Sequence, residues 1–370
     1  MNKEHKYDVI VVGGGPGGSS AARVAAEKGA KTILLEEHAQ IGLPEHCVGL
    51  LPPTSGSFIE ELIEKMDRRV VVARITGRRM IAPNAKTVEF SFGKPAAYIL
   101  ERNLLDLELA KQAAEAGAEV VVNTRVTGIL HEDGVVMGVT TNSKTMPEVH
   151  GKIVIAADGI RALFKGIPQW EGLAKANLQI LSGIKWHLSG VKLDPGILEI
   201  HLGSFCERGW VTIAPLDGVT CFTDISNMED MEKIKAGNWA LSKELRNCSV
   251  LRVTGWSHPM PMSGIHTTKK VKDGLILVGD AARGLGGIDF AITSGIMAGE
   301  VATKAVKERD VSEKNLSKYV DFCHELESVK GGYAWQFERL DQFNGLSDKD
   351  IQKEFDEREG KRFAEQVGKS

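Results

Sequence analysis

Six residues, Gly13-Gly14-Gly15-Pro16-Gly17-Gly18, constrain this chain more than any other stretch. An apolar run, Asp8-Val9-Ile10-Val11-Val12, precedes them. An alanine-rich segment from Ser19 to Lys28 that predicts a helix follows, and then a second apolar run, Thr32-Ile33-Leu34-Leu35-Glu36. Strand, glycine turn, helix and strand make one βαβ unit. Gly13, Gly15 and Gly18 fit the spacing Gly-x-Gly-x-x-Gly, with Pro16 and Gly17 between them. Glycines at these places permit a tight turn, the approach of a pyrophosphate and close packing of the helix on the sheet. The helix start directs N–H groups and a partial positive charge at phosphates. Glu36 closes the second strand, where a carboxylate accepts the hydroxyls of an adenosine ribose. With all these in register a dinucleotide site is favoured over a structural turn, but NAD and FAD are not yet separated.

At roughly 150 residues per domain, 370 residues make two domains or three. Between about Gln179 and Ile225 several short alternating segments predict an antiparallel sheet. The buried-strand pattern then resumes at Leu275-Ile276-Leu277-Val278, followed by Gly279-Asp280 and a helix from about Asp289 to Lys307, so the first domain is completed late. The fold class expected is α/β, a Rossmann-like domain discontinuous in sequence, with an α+β second domain. The first domain is expected at residues 1–66, 96–165 and 255–310, an antiparallel-sheet substrate domain at 67–95 and 166–254, and a C-terminal helical segment at 311–370. A formal charge of -3 leaves no global basic field, so nucleic acid is not an expected partner. Five scattered cysteines without a Cys-x-x-Cys pair argue against a disulfide framework, a zinc knuckle and a dithiol centre. The histidines lack metal-ligand spacing, and no metal is expected. The apolar runs fall short of the ~20 residues that cross a bilayer, and the N-terminus lacks a signal-peptide pattern, so a cytoplasmic protein is expected.

Three downstream segments resemble the FAD-binding pattern of the para-hydroxybenzoate hydroxylase-like flavoproteins. Arg102 with Asp106 matches the family's arginine at a helix start, Asp158-Gly159 its Asp-Gly motif, and Gly279-Asp280-Ala281-Ala282 its third motif. The resemblance implies FAD, with Arg102 on the ribityl-pyrophosphate side, Asp280 on the ribityl chain, and Val126 also at the cofactor. Beyond Asp280, Gly286-Gly287-Ile288 stands just before a helix, where backbone N–H groups are placed to face the flavin pyrimidine and stabilise negative charge on the reduced ring.

The loop from Ile41 to Leu51, with Pro44, Cys47 and Gly49 as Pro-x-x-Cys-x-Gly, resembles that of the geranylgeranyl reductase group of these flavoproteins. That resemblance implies a reductase saturating carbon–carbon double bonds of an isoprenoid lipid, with an external electron donor such as a reduced nicotinamide or ferredoxin and a peripheral membrane contact. It implies Cys47 as the catalytic residue at the flavin. A small buried hydrophobe is the other reading of that thiol. His46 either lines the flavin or caps the loop. The family's Tyr-x-Trp-x-Phe-Pro motif survives only loosely, from Gly209 to Pro215. Trp210 and Trp186 are candidates to line an apolar substrate tunnel, with core packing as the competing reading. Two rival activities on the same scaffold are a flavin monooxygenase and a quinone-linked or electron-transfer flavoprotein.

Overall fold

The structure is a computed structural model that describes residues 6–45, 47–51, 57–91, 95, 97–161, 178–217, 220–261, 269–282, 287–326 and 342–359. The chain packs into two compact units. One comprises Met1–Pro44, Arg102–Leu181 and His258–Gly331; the other comprises Glu45–Glu101, Ser182–Ser257 and Gly332–Ser370.

The first unit is built on a largely parallel sheet in the order Val271–Lys272, Leu275–Leu277, Glu148–Ala156, Tyr7–Val12, Thr32–Leu35, Glu119–Val121. Val9 pairs with Ile153 on one side and Thr32 on the other, and Val154 pairs with Leu275. The late strand therefore completes the early sheet, as the recurrence of an apolar run near Leu275 predicts. Its central strands read as unbroken apolar runs because both faces are covered. On one face, Val9, Val11, Leu34 and Ile155 pack with helices Pro16–Glu27, Arg102–Glu115 and Ile288–Glu308. On the other, Ile10, Ile33 and Val154 meet Val126, Val136 and Val139 of a hairpin. That hairpin turns at Asp133 and Gly134, whose φ values of 49° and 85° are the two positive angles a tight two-residue turn needs.

The second unit holds a seven-stranded sheet in the order Ser249–Pro261, Leu178–Ser189, Thr220–Ile225, Trp210–Pro215, Ile197–Leu202, Gly77–Ile81, Thr87–Ser91. The alternating segments do pair antiparallel, with Trp186 opposite Thr223 and Glu199 opposite Ile213. One pairing departs from the expected antiparallel sheet: Ile197–Leu202 runs parallel to Gly77–Ile81, with Ile200 opposite Met80. A strand inserted from far upstream is free to enter in either direction, since no hairpin turn dictates its sense. A small sheet joins Leu50–Leu51, Ala97–Leu100 and Val71–Ile75. Those pairings carry residues 45–66 and 96–101 with the second unit, whereas the sequence pattern puts them in the nucleotide domain.

The described parts of the tail join the cores of the two units. Leu316, Tyr319 and Cys323 lie in the core of the first unit, and the Tyr319 hydroxyl donates to the Leu277 carbonyl at 2.7 Å. Phe343, Ile351 and Phe355 join Met80, Ile200 and Trp210 in a core of the second unit. Asp348, at the start of helix Asp348–Glu354, accepts from the Ser204 N–H at 2.6 Å and the Trp239 indole at 2.9 Å.

One half-buried titratable group there is expected to give the fold a pH dependence. His187 Nε2 is buried with no hydrogen-bond partner; burial, helped by the Lys185 charge, pushes the imidazole down from 6.5 to about 4. The unfolded chain therefore takes up this proton before the folded one does. Stability is expected to be full above pH 6.5 and to fall as the pH drops from 6.5 toward 4. Denaturant midpoints across that window check this, with His187→Phe expected to flatten the curve.

Candidate dinucleotide site

The glycine turn of the first unit is held from both sides. Gly13 N–H donates to the Leu35 carbonyl at 2.8 Å, and Ala157 N–H donates to that of Val12 at 2.8 Å. Gly13 has φ +100°, and a Cβ there would stand 2.5 Å from the Ala157 oxygen. On Gly18 a Cβ would meet the Gly13 oxygen at 1.9 Å, and on Gly17 it would meet Val278 at 2.8 Å. These glycines are required by the protein's own packing.

Gly15 and Gly287 are different. Each is the residue capping the N-terminus of a helix, Pro16–Glu27 and Ile288–Glu308 respectively, with ordinary φ values of -73° and -93° and no side-chain cap. Among the described residues, a Cβ on either would meet nothing within 4 Å. Among the described residues no internal contact asks for glycine at these two places, and at Gly15, where the backbone is extended, serine, threonine or aspartate caps better. What they have in common is an open approach to a helix start, which is what a phosphate or an anionic ring edge needs. The helices themselves cross closely, since a Cβ on Gly295 would meet the Gly17 oxygen at 2.1 Å and one on Gly299 the Ala21 oxygen at 2.6 Å.

Glu36, 8% exposed, turns its carboxylate back on this turn. Its Oε2 accepts from Gly14 N–H at 2.7 Å, and its Oε1 accepts from His38 N–H at 2.9 Å and lies 2.6 Å from His38 Nδ1. Arg102 binds Asp106 one helical turn away at 3.1 Å. Burial raises the Asp106 carboxyl against the pull of Arg102, and the charge of Glu36 also raises it. Asp158-Gly159 follows strand Glu148–Ala156, with Gly159 at φ +66° and open space where its Cβ would be. Gly279 N–H meets Ser294 Oγ at 3.3 Å, which ties the short turn Gly279–Ala282, and Asp280 with it, to helix Ile288–Glu308. The structure thus gathers Gly13, Gly15, Pro16, Gly17, Gly18, Glu36, Arg102, Asp158, Gly159, Gly279, Asp280, Gly287 and Ile288 in one unit. Val126 buries its side chain, 3% exposed, in the hairpin-side core, so only its main chain is left to meet a ligand. His46 and Gly286 lie outside the described residues.

A family profile described as FAD dependent oxidoreductase matches residues 8–178. The chain is 34% identical over 343 residues to the digeranylgeranylglycerophospholipid reductase of Thermoplasma acidophilum, covering 85% of this chain and 82% of that one. It belongs to the geranylgeranyl reductase family of FAD-dependent oxidoreductases. The enzyme of the same description from Methanococcus vannielii is 33% identical over 331 residues. Among solved structures, a geranylgeranyl bacteriochlorophyll reductase-like protein from Thermoplasma acidophilum matches with a TM-score of 0.78 at 30% identity, covering 95% of this chain and 90% of that one. A flavin-dependent brominase matches at 0.68 with 19% identity and shares the fold alone. As a member of this family the chain takes FAD, and the residues present fit it: two helix starts open at glycines where, among the described residues, a Cβ would meet nothing, a buried carboxylate just past the second strand, and an aspartate in the turn after the last strand.

The remaining expectations fall in the second unit. Cys47 is half-buried, and its Sγ lies 3.4 Å from the Gly49 N–H that donates to it. Gly49 has φ +81°, and a Cβ there would stand 2.1 Å from the Leu100 oxygen, so the protein's own chain accounts for that glycine. Trp186 and Trp210 are each 3% exposed and sit in two separate cores, Trp186 with Leu188 and Phe205, Trp210 with Met80 and Phe343. Neither indole presents a face to solvent.

Sequence reasoning passes over the pair beneath the cysteine loop. Glu45, two residues before Cys47, receives Lys185 at 2.8 Å, and both side chains are 2% exposed. Arg252 reaches the other Glu45 oxygen and also Glu101. The available signal is a lysine between Ile184 and Trp186 in the strand, where a cation is carried inward only with a partner.

Proposed function

We propose that this protein saturates carbon–carbon double bonds in the geranylgeranyl chains of a glycerophospholipid. The observation that carries this is identity of 34% over 343 residues, spanning both units, with a reductase described by that substrate. Bound and reduced, FAD supplies a hydride from its N5 atom. The first unit's part is to hold the cofactor: Gly15 and the helix behind it take the diphosphate, Glu36 the ribose, Asp280 the ribityl chain. The N-terminus of helix Ile288–Glu308, bared at Gly287, stabilises negative charge at the pyrimidine edge.

An isolated alkene has no carbonyl to polarise it, so its second carbon must receive a proton from a positioned acid in a site that excludes water. The Cys47 thiol is that acid in this proposal, on the strength of the Pro44-to-Gly49 resemblance. Cys47→Ser is expected to lower the rate of double-bond reduction about a hundredfold while FAD content stays unchanged, as measured by single-turnover mass spectrometry against flavin absorbance. The electron donor proposed is a reduced nicotinamide or a ferredoxin. Among the described residues no helix is long and apolar enough to cross a membrane. The contact proposed with the lipid is a peripheral one.

The testing experiment is anaerobic. The photoreduced protein is mixed with a geranylgeranyl phospholipid, and flavin reoxidation is followed beside the product mass. Reoxidation with two hydrogens gained per bond supports the reading. Reoxidation only by oxygen, with a hydroxylated product, defeats it in favour of a monooxygenase.

A further inference from the structure

In the second unit, one cluster has the donor set of a metal centre. Glu199 and His201 stand two apart on strand Ile197–Leu202, and the two-residue period of a strand turns both to one face. Their side chains are 6% and 2% exposed. Glu244 reaches them from helix Ala240–Leu245. His201 Nε2 lies 3.0 Å from Glu199 Oε2 and 3.6 Å from Glu244 Oε2, and the three donor atoms all fall within 4.8 Å of one another.

Hydrogen bonding alone leaves this arrangement short of positive charge. Arg79 is already shared among Glu89, Asp194 and Glu199, where it holds Oε1 and leaves Oε2 turned to the histidine. Glu244 Oε2 is itself buried and accepts no hydrogen bond, and among the described residues no lysine or arginine pairs with it. A ring nitrogen carries a single proton and cannot satisfy two carboxylate oxygens at once. A cation at the centre of the three atoms can. Nitrogen and oxygen ligands held at about 2.0–2.2 Å from a tetrahedral ion are about 3.3–3.5 Å apart, and the two distances from His201 Nε2 straddle that spacing.

We propose that Glu199, His201 and Glu244 bind a divalent transition-metal ion of the zinc class, with a fourth position open. Calcium and magnesium fit poorly, since both favour six or more oxygen ligands. Histidine spacing along the chain gives no hint of this, because two of the ligands are carboxylates and one comes from a separate helix. The ion would tie helix Ala240–Leu245 to the sheet.

The test uses the FAD-loaded protein, stripped with a chelator and titrated with Zn(II) by calorimetry and with Co(II) by absorption. One site per chain is expected, weakened at least about tenfold by Glu244→Ala, a partly exposed position whose loss leaves the Arg79–Glu199 pair in place. His201→Gln should act likewise, and Glu232→Ala, on an exposed face of the neighbouring helix, should change nothing. Zinc bound equally by the wild type and by Glu244→Ala would be adventitious and would overturn the proposal. So would the absence of any binding, or a Co(II) spectrum with thiolate charge-transfer bands.

Discussion

Gly15→Val is expected to give a folded but colourless protein, and Gly18→Ala little folded protein at all. The two glycines are three residues apart in one motif, yet the structure separates their reasons for being glycine. On Gly18 an added Cβ would collide with the Gly13 oxygen at 1.9 Å, a backbone atom inside the turn that seats the helix on the sheet. No side chain can rotate away to relieve that contact, so the βαβ unit itself must open. On Gly15 an added Cβ meets nothing within 4 Å among the described residues, and the extended backbone, φ -73° and ψ -175°, suits valine. The cost to the fold is the loss of a modest cap, at most about 1 kcal/mol. The valine methyls instead fill the approach to the helix start, which is where the diphosphate of FAD is proposed to bind. Circular dichroism and flavin absorbance on the same preparation decide it. A yellow Gly15→Val protein with full flavin content would mean that the diphosphate is bound elsewhere.

Lys185→Met is expected to destabilise the second unit by about 3–5 kcal/mol, the usual cost of removing one partner from a buried ion pair. Lys185 and Glu45 are each 2% exposed, so the carboxylate left behind has no access to water. Arg252 touches the same carboxylate but is itself 39% exposed, and it divides its charge with Glu101. The double variant Glu45→Gln with Lys185→Met should recover part of the loss, since it removes the stranded charge. Because Glu45 precedes Cys47 by two residues, the loop held by this pair is also expected to loosen. Faster reaction of the Cys47 thiol with a thiol reagent in Lys185→Met, measured below the unfolding transition, would show it. Unchanged stability in the single variant would mean that the pair does not anchor the loop.

Features set by local pattern are legible in the amino-acid order alone. The strand, turn, helix and strand around Gly13 to Gly18, the late strand at Leu275 and the Asp133-Gly134 hairpin each depend on periodicity or on positive backbone angles, and those are written into neighbouring residues. Cofactor class is legible too, because the short motifs at Arg102, Asp158 and Asp280 appear in order. Long-range choices are not. Nothing local tells Gly77–Ile81 to pair in parallel with Ile197–Leu202, or sends Tyr319 to one core and Phe343 to another. The Glu45–Lys185 pair and the Glu199–His201–Glu244 cluster arise from contacts between segments far apart in the chain, and composition carries no trace of which charges meet. Trp186 and Trp210 mark a further limit: an aromatic in a sheet signals burial, and burial by itself does not distinguish a core from a binding tunnel.

FAD is proposed to lie along the helix starts bared at Gly15 and Gly287. Titrating FAD into stripped protein, with Gly287→Val beside the wild type, tests it most directly. One FAD per wild-type chain is expected, with binding at least about tenfold weaker in a Gly287→Val protein that unfolds at the same temperature. Equal affinity in the two proteins, or a wild type that takes up no FAD, would contradict it.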